Sequence, residues 1–140
     1  MLGKRKVRKN AMGLLFGYEF NSDEAAGEYY NDAYDNFCCE DDEEESVKKL
    51  FLGVCENKEE IDKIISENLK DWKISRLSKV SLTVMRISVY EMKYTDFPHA
   101  ISINEAVELA KEYGEDKSPA FINGVLNSIS KYLGSSEQSV

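Results

Sequence analysis

Five cations stand within the first ten residues, Lys4, Arg5, Lys6, Arg8 and Lys9, with no acid among them. On a helix at about 100° per residue, Arg5, Lys9, Met12 and Phe16 fall within about 60° of one another, opposite a stripe of Val7, Ala11, Leu14 and Tyr18. Lys4 and Arg8 flank that stripe, where long stems can carry their charge outward. Cations meet phosphates, and an exposed ring gives an unpaired base a surface worth about 1–3 kcal/mol. The chemistry on offer is nucleic-acid binding. The plain alternative is a solubilising N-terminus with Phe16 packed on a neighbouring helix.

Other reactive residue types form no constellation. The single histidine, His99, lies in the connection Phe97-Pro98-His99 and has no Ser or Cys nucleophile at a sharp elbow beside it. Cys38, Cys39 and Cys55 make an odd count without a C-x-x-C pair, which favours reduced thiols in a cytoplasm, used as small apolar filler. The run Glu40-Asp41-Asp42-Glu43-Glu44-Glu45 lacks the alternating ligands and central glycine of an EF-hand loop, so it reads as a solvated charge run. No phosphate-binding glycine pattern occurs. Neither a catalytic residue, a metal nor a cofactor is expected, and the chain reads as a non-enzyme.

Charge is segregated. The chain of 140 residues has a net charge of −8, and its first ten residues carry +5, so the remainder carries −13. Residues 19–45 hold twelve acids and no Lys or Arg. An acidic body repels polyphosphate, so nucleic-acid contact must be local and use the basic end. There is no apolar run of about 18 residues and no signal-peptide pattern, so no membrane association is expected.

The elements that would position these residues are helical. Apolar spacing of three and four recurs almost throughout, and only two prolines interrupt it. Helices are expected over about 4–20, 23–37 with Ser22 as N-cap, 46–71 with a bend near Asn57, and 78–94. Two more follow. Ser102 with Glu105 has the form of a capping box, and Gly114 suits a left-handed helix end. Ser118 followed by Pro119 suits an N-cap and first helical position. The last helix is expected to end near Gly134, leaving 135–140 as a frayed, disordered tail. Gly124, inside that helix, suggests close helix approach. The fold class is all-α, six to seven helices in a single domain over 1–134.

Four blocks in order give this chain a family likeness. They are Arg8, Ala11, Leu15 and Phe16; then Trp72, Arg76, Leu77 and Val80; then the run Met85-Arg86-Ile87-Ser88-Val89-Tyr90-Glu91; and last Asn104-Glu105-Ala106-Val107-Glu108-Leu109-Ala110-Lys111 with Phe121-Ile122-Asn123-Gly124-Val125-Leu126. Over about residues 5–133 the chain resembles the NusB family of transcription antitermination factors. The resemblance implies two roughly perpendicular three-helix bundles. It implies binding to boxA RNA of nascent transcripts jointly with NusE, a small-subunit ribosomal protein, and action on the RNA polymerase elongation complex at rRNA operons. By position, Lys4, Arg5, Arg8 and Lys9 would grip phosphates, Phe16 would stack where many relatives have Tyr, and Lys117 would add a phosphate contact. Gly13 and Ser81 depart from residues frequent in the family. Arg86 with Glu91 suggests an internal ion pair or a helix-capping group.

Two other functions stand beside this one. The acidic segment 40–45 could be the docking surface of a protein-interaction module. The chain could also be an RNA-guiding helical domain that serves an rRNA methyltransferase in trans. The sequence leaves the oligomeric state open, a homodimer included.

Overall fold

A computed structural model describes the backbone of residues 2–20, 24–37, 44–70 and 73–138, and side chains over 5–20, 24–33, 44–70 and 73–134. Ser22, Cys38, Cys39, the acids at 40–43 and Trp72 lie outside the described residues, as do the side chains of Lys4, Tyr34 and Phe37. Seven helices and one 3-10 turn make up the described secondary structure, with no strand among the described residues. The expected all-α class holds. The chain divides into two compact units, Met1–Glu56 and Asn57–Val140.

The first unit holds α1 (Leu2–Tyr18), α2 (Ala26–Phe37) and α3 (Glu44–Glu56). Helix α1 packs on both α2 and α3. Ala11, Leu14, Leu15, Tyr30, Val47, Phe51 and Val54 are buried. Phe51 gathers three tyrosine rings, with centroids of Tyr18, Tyr29 and Tyr30 at 5.8, 6.2 and 5.5 Å. Such pairs add to their area burial. The Tyr18 hydroxyl donates to the Glu24 carbonyl at 2.6 Å and so ties the end of α1 to the start of α2. A Cβ at Gly17 would collide with the Tyr29 hydroxyl, so this glycine admits a ring from α2.

The second unit holds α4 (Lys58–Glu67), the 3-10 turn Ile74–Arg76, α5 (Lys79–Tyr94), α6 (His99–Tyr113) and α7 (Ser118–Gln138). The expected bend near Asn57 is a full break between α3 and α4, and the boundary between the units falls there. Helix α5 is buried at every position from Ser81 to Val89 and packs against α4, α6 and α7. A helix apolar on most sides belongs at the centre of its unit. Ser78 caps α5, its hydroxyl accepting from the Ser81 N–H at 3.1 Å.

Four expected helix ends are corrected. Helix α6 starts at His99 after Pro98, and the Ser102 N–H already donates to the Pro98 carbonyl at 3.0 Å, so Ser102 and Glu105 form no capping box. Ser102 is instead buried, and its hydroxyl donates to Glu91 Oε1 at 2.9 Å beside Ser88 Oγ, also at 2.9 Å. Gly114 has φ −96° rather than a left-handed value. Space explains it: a Cβ there would lie 2.8 Å from the Ala110 carbonyl oxygen and 3.1 Å from Ser118 Cβ. Helix α7 includes Ser118 itself, whose hydroxyl accepts from the Glu115 N–H at 3.2 Å and closes the loop before the helix. At its far end α7 runs on past Gly134 to Gln138; Gly134 has no positive φ that would stop it.

One further expectation about a single residue changes, and a second gains a partner. Among the described residues a Cβ at Gly124 would meet nothing within 4 Å, so no close approach of a described helix explains that glycine. Arg86 pairs with Asp62 of α4, Nε to Oδ1 at 2.7 Å and Nη2 to Oδ2 at 2.9 Å, a two-pronged bond from the central helix.

Candidate nucleic-acid interface

Helix α1 carries the first group of candidates. Its buried residues are Arg8, Ala11, Met12, Leu14 and Leu15. The centre of that arc is rotated by about 40° from the stripe that the apolar residues alone define. Two consequences follow. Met12, expected on the outer face, is buried. Arg8, expected to extend outward at the edge of the stripe, sits well inside the arc and is only 3% exposed. Arg5, Lys9 and Phe16 remain together on the outer face, within about 40° of one another. Arg5 and Lys9 are exposed and Phe16 is half-buried. Lys4 belongs to α1, with its side chain outside the described residues.

A residue that the sequence reading missed completes this face. Phe20 follows α1 and is 65% exposed. Its ring meets Phe16 edge to face, with centroids 5.4 Å apart and planes at 66°. The chain continues one turn past Tyr18, the Phe20 N–H donating to the Gly17 carbonyl at 3.1 Å, and this turn swings the ring back over Phe16. The i, i+4 spacing of the two phenylalanines was the available signal. Nearby, burial pushes the phenols of Tyr18 and Tyr29 above their usual range, with Glu24 adding to both shifts and Cys55 to that of Tyr18. These phenols stay neutral packing groups, and the cations on the outer face carry the charge.

Lys117 lies in the second unit. It is exposed and lines a cleft of about 510 Å³ with Arg76, Ser78, Ser81, Ser118 and Phe121. The N-terminal ends of α5 and α7 meet in this cleft, where Ser81 Oγ lies 3.5 Å from Ser118 Oγ. Helix N-termini present unpaired N–H groups and the positive end of a dipole. Together with Arg76 and Lys117 they make a setting for an anion such as a phosphate, although Glu115 also stands at its rim. Arg76 is an exposed cation in this cleft, and its value is not visible from its place in a 3-10 turn.

The remaining candidates are structural. His99 begins α6 half-buried; its Nε2 donates to the Met92 carbonyl at 3.2 Å, and Nδ1 lies 2.8 Å from Ser130 Oγ. It ties three helices together. Among the described residues no group of three or more His, Cys, Asp or Glu is placed to hold a metal ion. No described helix is long and apolar enough to cross a membrane.

The NusB family model matches residues 5–131. The transcription antitermination protein NusB of Clostridium novyi (strain NT) is 42% identical over 137 residues, covering 93% of this chain and 99% of that protein. Among solved structures, T. maritima NusB superposes with a TM-score of 0.80 at 33% identity, covering 91% of this chain and 89% of that one. A crystal structure of antitermination factors NusB and NusE in complex with double-stranded RNA gives 0.82 at 29% identity, covering 94% and 98%. By sequence along nearly its whole length and by fold, the chain belongs to the NusB family.

Proposed function

We propose that this protein is a transcription antitermination factor. It binds boxA RNA of nascent transcripts together with NusE and supports processive elongation by RNA polymerase through rRNA operons. Family membership over residues 5–131 carries the reading. The exposed Arg5, Lys9 and Phe16 on α1 give it a chemistry suited to RNA. Lys117 with Arg76 adds a second cationic position, and Lys4 extends the basic end of α1. Arg8 supports the face from beneath, its guanidinium held inside the packed arc. The relative crystallised with NusE and RNA makes those two the partners to test. The protein acts as a binding factor rather than a catalyst, in the cytoplasm, with residues 1–134 working as one RNA-binding domain.

A gel shift with boxA RNA, with and without NusE, at two salt concentrations tests the reading. The expected outcome is binding that NusE strengthens and salt weakens, and that the double variant Arg5→Glu with Lys9→Glu loses at least tenfold. Equal affinity of wild type and double variant would place the RNA elsewhere.

A further inference from the structure

Helix α7 has a second outward face that the RNA-binding reading does not use. Gly124 lies in its interior, exposed, with no positive φ and, among the described residues, with nothing within 4 Å of where a Cβ would stand. Helix propensity favours alanine at such a position, so neither the backbone nor the packing asks for glycine. What glycine does provide is an open floor. Gly124 lines a cavity of about 540 Å³ with Asn68, Lys70, Phe121, Ser128 and Lys131. The residues from α7 recur every three to four positions and so share one side of the helix over about 15 Å.

The chemistry of this groove is specific. Lys70 and Lys131 are exposed cations, and no acid among the described residues lines the groove, in a chain whose net charge is −8. Its polar floor is held in place: the Ser128 hydroxyl donates to Asn68 Oδ1 at 2.9 Å, and Asn68 Nδ2 donates to the Ile64 carbonyl at 2.8 Å, closing the end of α4. The wall is the half-buried Phe121 ring, which also lines the Arg76–Lys117 cleft. Cations therefore stand on both sides of one aromatic ring. Phosphates joined by flat bases match that alternation, since cations track the backbone and the ring takes a base.

We infer that the Gly124 groove, between Lys70 and Lys131, is a second binding site for single-stranded RNA, taking nucleotides that flank the element bound first. The inference rests on the RNA-binding function proposed above. It extends the path of the RNA across Phe121 and along α7.

The test compares two labelled RNAs on the full chain with NusE: boxA alone, and boxA extended by eight nucleotides on each side. The variants are Lys70→Glu with Lys131→Glu, and Gly124→Leu, which fills the groove floor. Gly124→Ala serves as the folding control and is expected to raise the melting temperature. On wild type the extension should tighten binding about tenfold. On both groove variants the gain should fall below twofold, with affinity for boxA alone unchanged. The same gain on wild type and variants, or no gain on a wild type that binds boxA, overturns the groove and leaves the α1 interface standing. Loss of NusE binding with the RNA gain intact also overturns it, because the groove is then a protein interface. A wild type that binds neither RNA in the presence of NusE refutes the proposed function itself, and this inference with it.

Discussion

The two phenylalanines at the end of α1 offer different things to an RNA base. Phe16 is fixed by the helix and half-covered, whereas Phe20 stands in a turn and is 65% exposed. Their edge-to-face contact sets the planes 66° apart, so one flat base cannot lie on both rings. Phe16 shares its face with Arg5 and Lys9, so the proposed function assigns the stacking surface to its ring and makes Phe20 its buttress. Phe16→Leu should therefore cost about 1–3 kcal/mol of RNA affinity, the worth of one stacked base. Phe16→Tyr should bind like wild type, and Phe20→Leu should lose less than Phe16→Leu. Fluorescence anisotropy on all three variants measures this, and a larger loss at Phe20 than at Phe16 would reverse the assignment. Arg8 makes the opposite point about single residues. Charge and position both recommended it as an outward cation, and it is nevertheless buried. Helical angle alone did not reveal this, because the apolar residues of α1 define a stripe about 40° away from the arc that is covered.

At the scale of elements, the helix interiors were legible and the helix ends were not. Periodicity of three and four placed the helical segments, although it read α3 and α4 as one bent helix, since burying one face is what keeps a helix in a folded chain. Ends depend on a few hydrogen bonds, and the same residue types can make other bonds. The pair Ser102 and Glu105 has capping-box spacing, yet Pro98 starts α6 a turn earlier, and Ser102 turns inward to Glu91. Ser78 has no such competitor and does cap α5. The difference is measurable by chemical denaturation. Ser78→Ala should cost about 1 kcal/mol, the usual value of a lost N-cap. Ser102→Ala should cost about 1–3 kcal/mol, because it takes a hydrogen bond from a buried carboxylate. If Ser102→Ala proved the milder of the two, the buried Ser88, Ser102 and Glu91 cluster would not be the constraint described. The candidate site was legible to a similar degree. The grouping of Arg5, Lys9 and Phe16 could be read from helical spacing, whereas Arg76 gained meaning only when folding set it beside Lys117.

For the whole molecule the governing fact is an acidic chain with a few exposed cations, and the proposed RNA contacts fall on these. At net charge −8 the average field repels RNA, and at physiological ionic strength that field is screened beyond about 8 Å. Close contacts at Arg5, Lys9 and Lys117 are felt at full strength, whereas the repulsion from acids farther away is damped. Affinity therefore reflects the count of phosphate contacts rather than the net charge. Each contact to a single strand contributes about −0.7 to the slope of log affinity against log salt, so three contacts give a slope near −2. Between 50 and 200 mM salt the affinity for boxA RNA should then fall about 20-fold. In Arg5→Glu with Lys9→Glu the slope should shrink by about 1.4, leaving roughly a threefold fall over the same range. Isothermal titration or anisotropy at four salt concentrations gives both slopes. A slope that is steep in wild type and equally steep in the double variant would move the phosphate contacts off α1, even if the affinity itself dropped. Affinity can be lost by many routes, including repulsion from the two introduced acids, but the slope counts the counterions released where the strand is held.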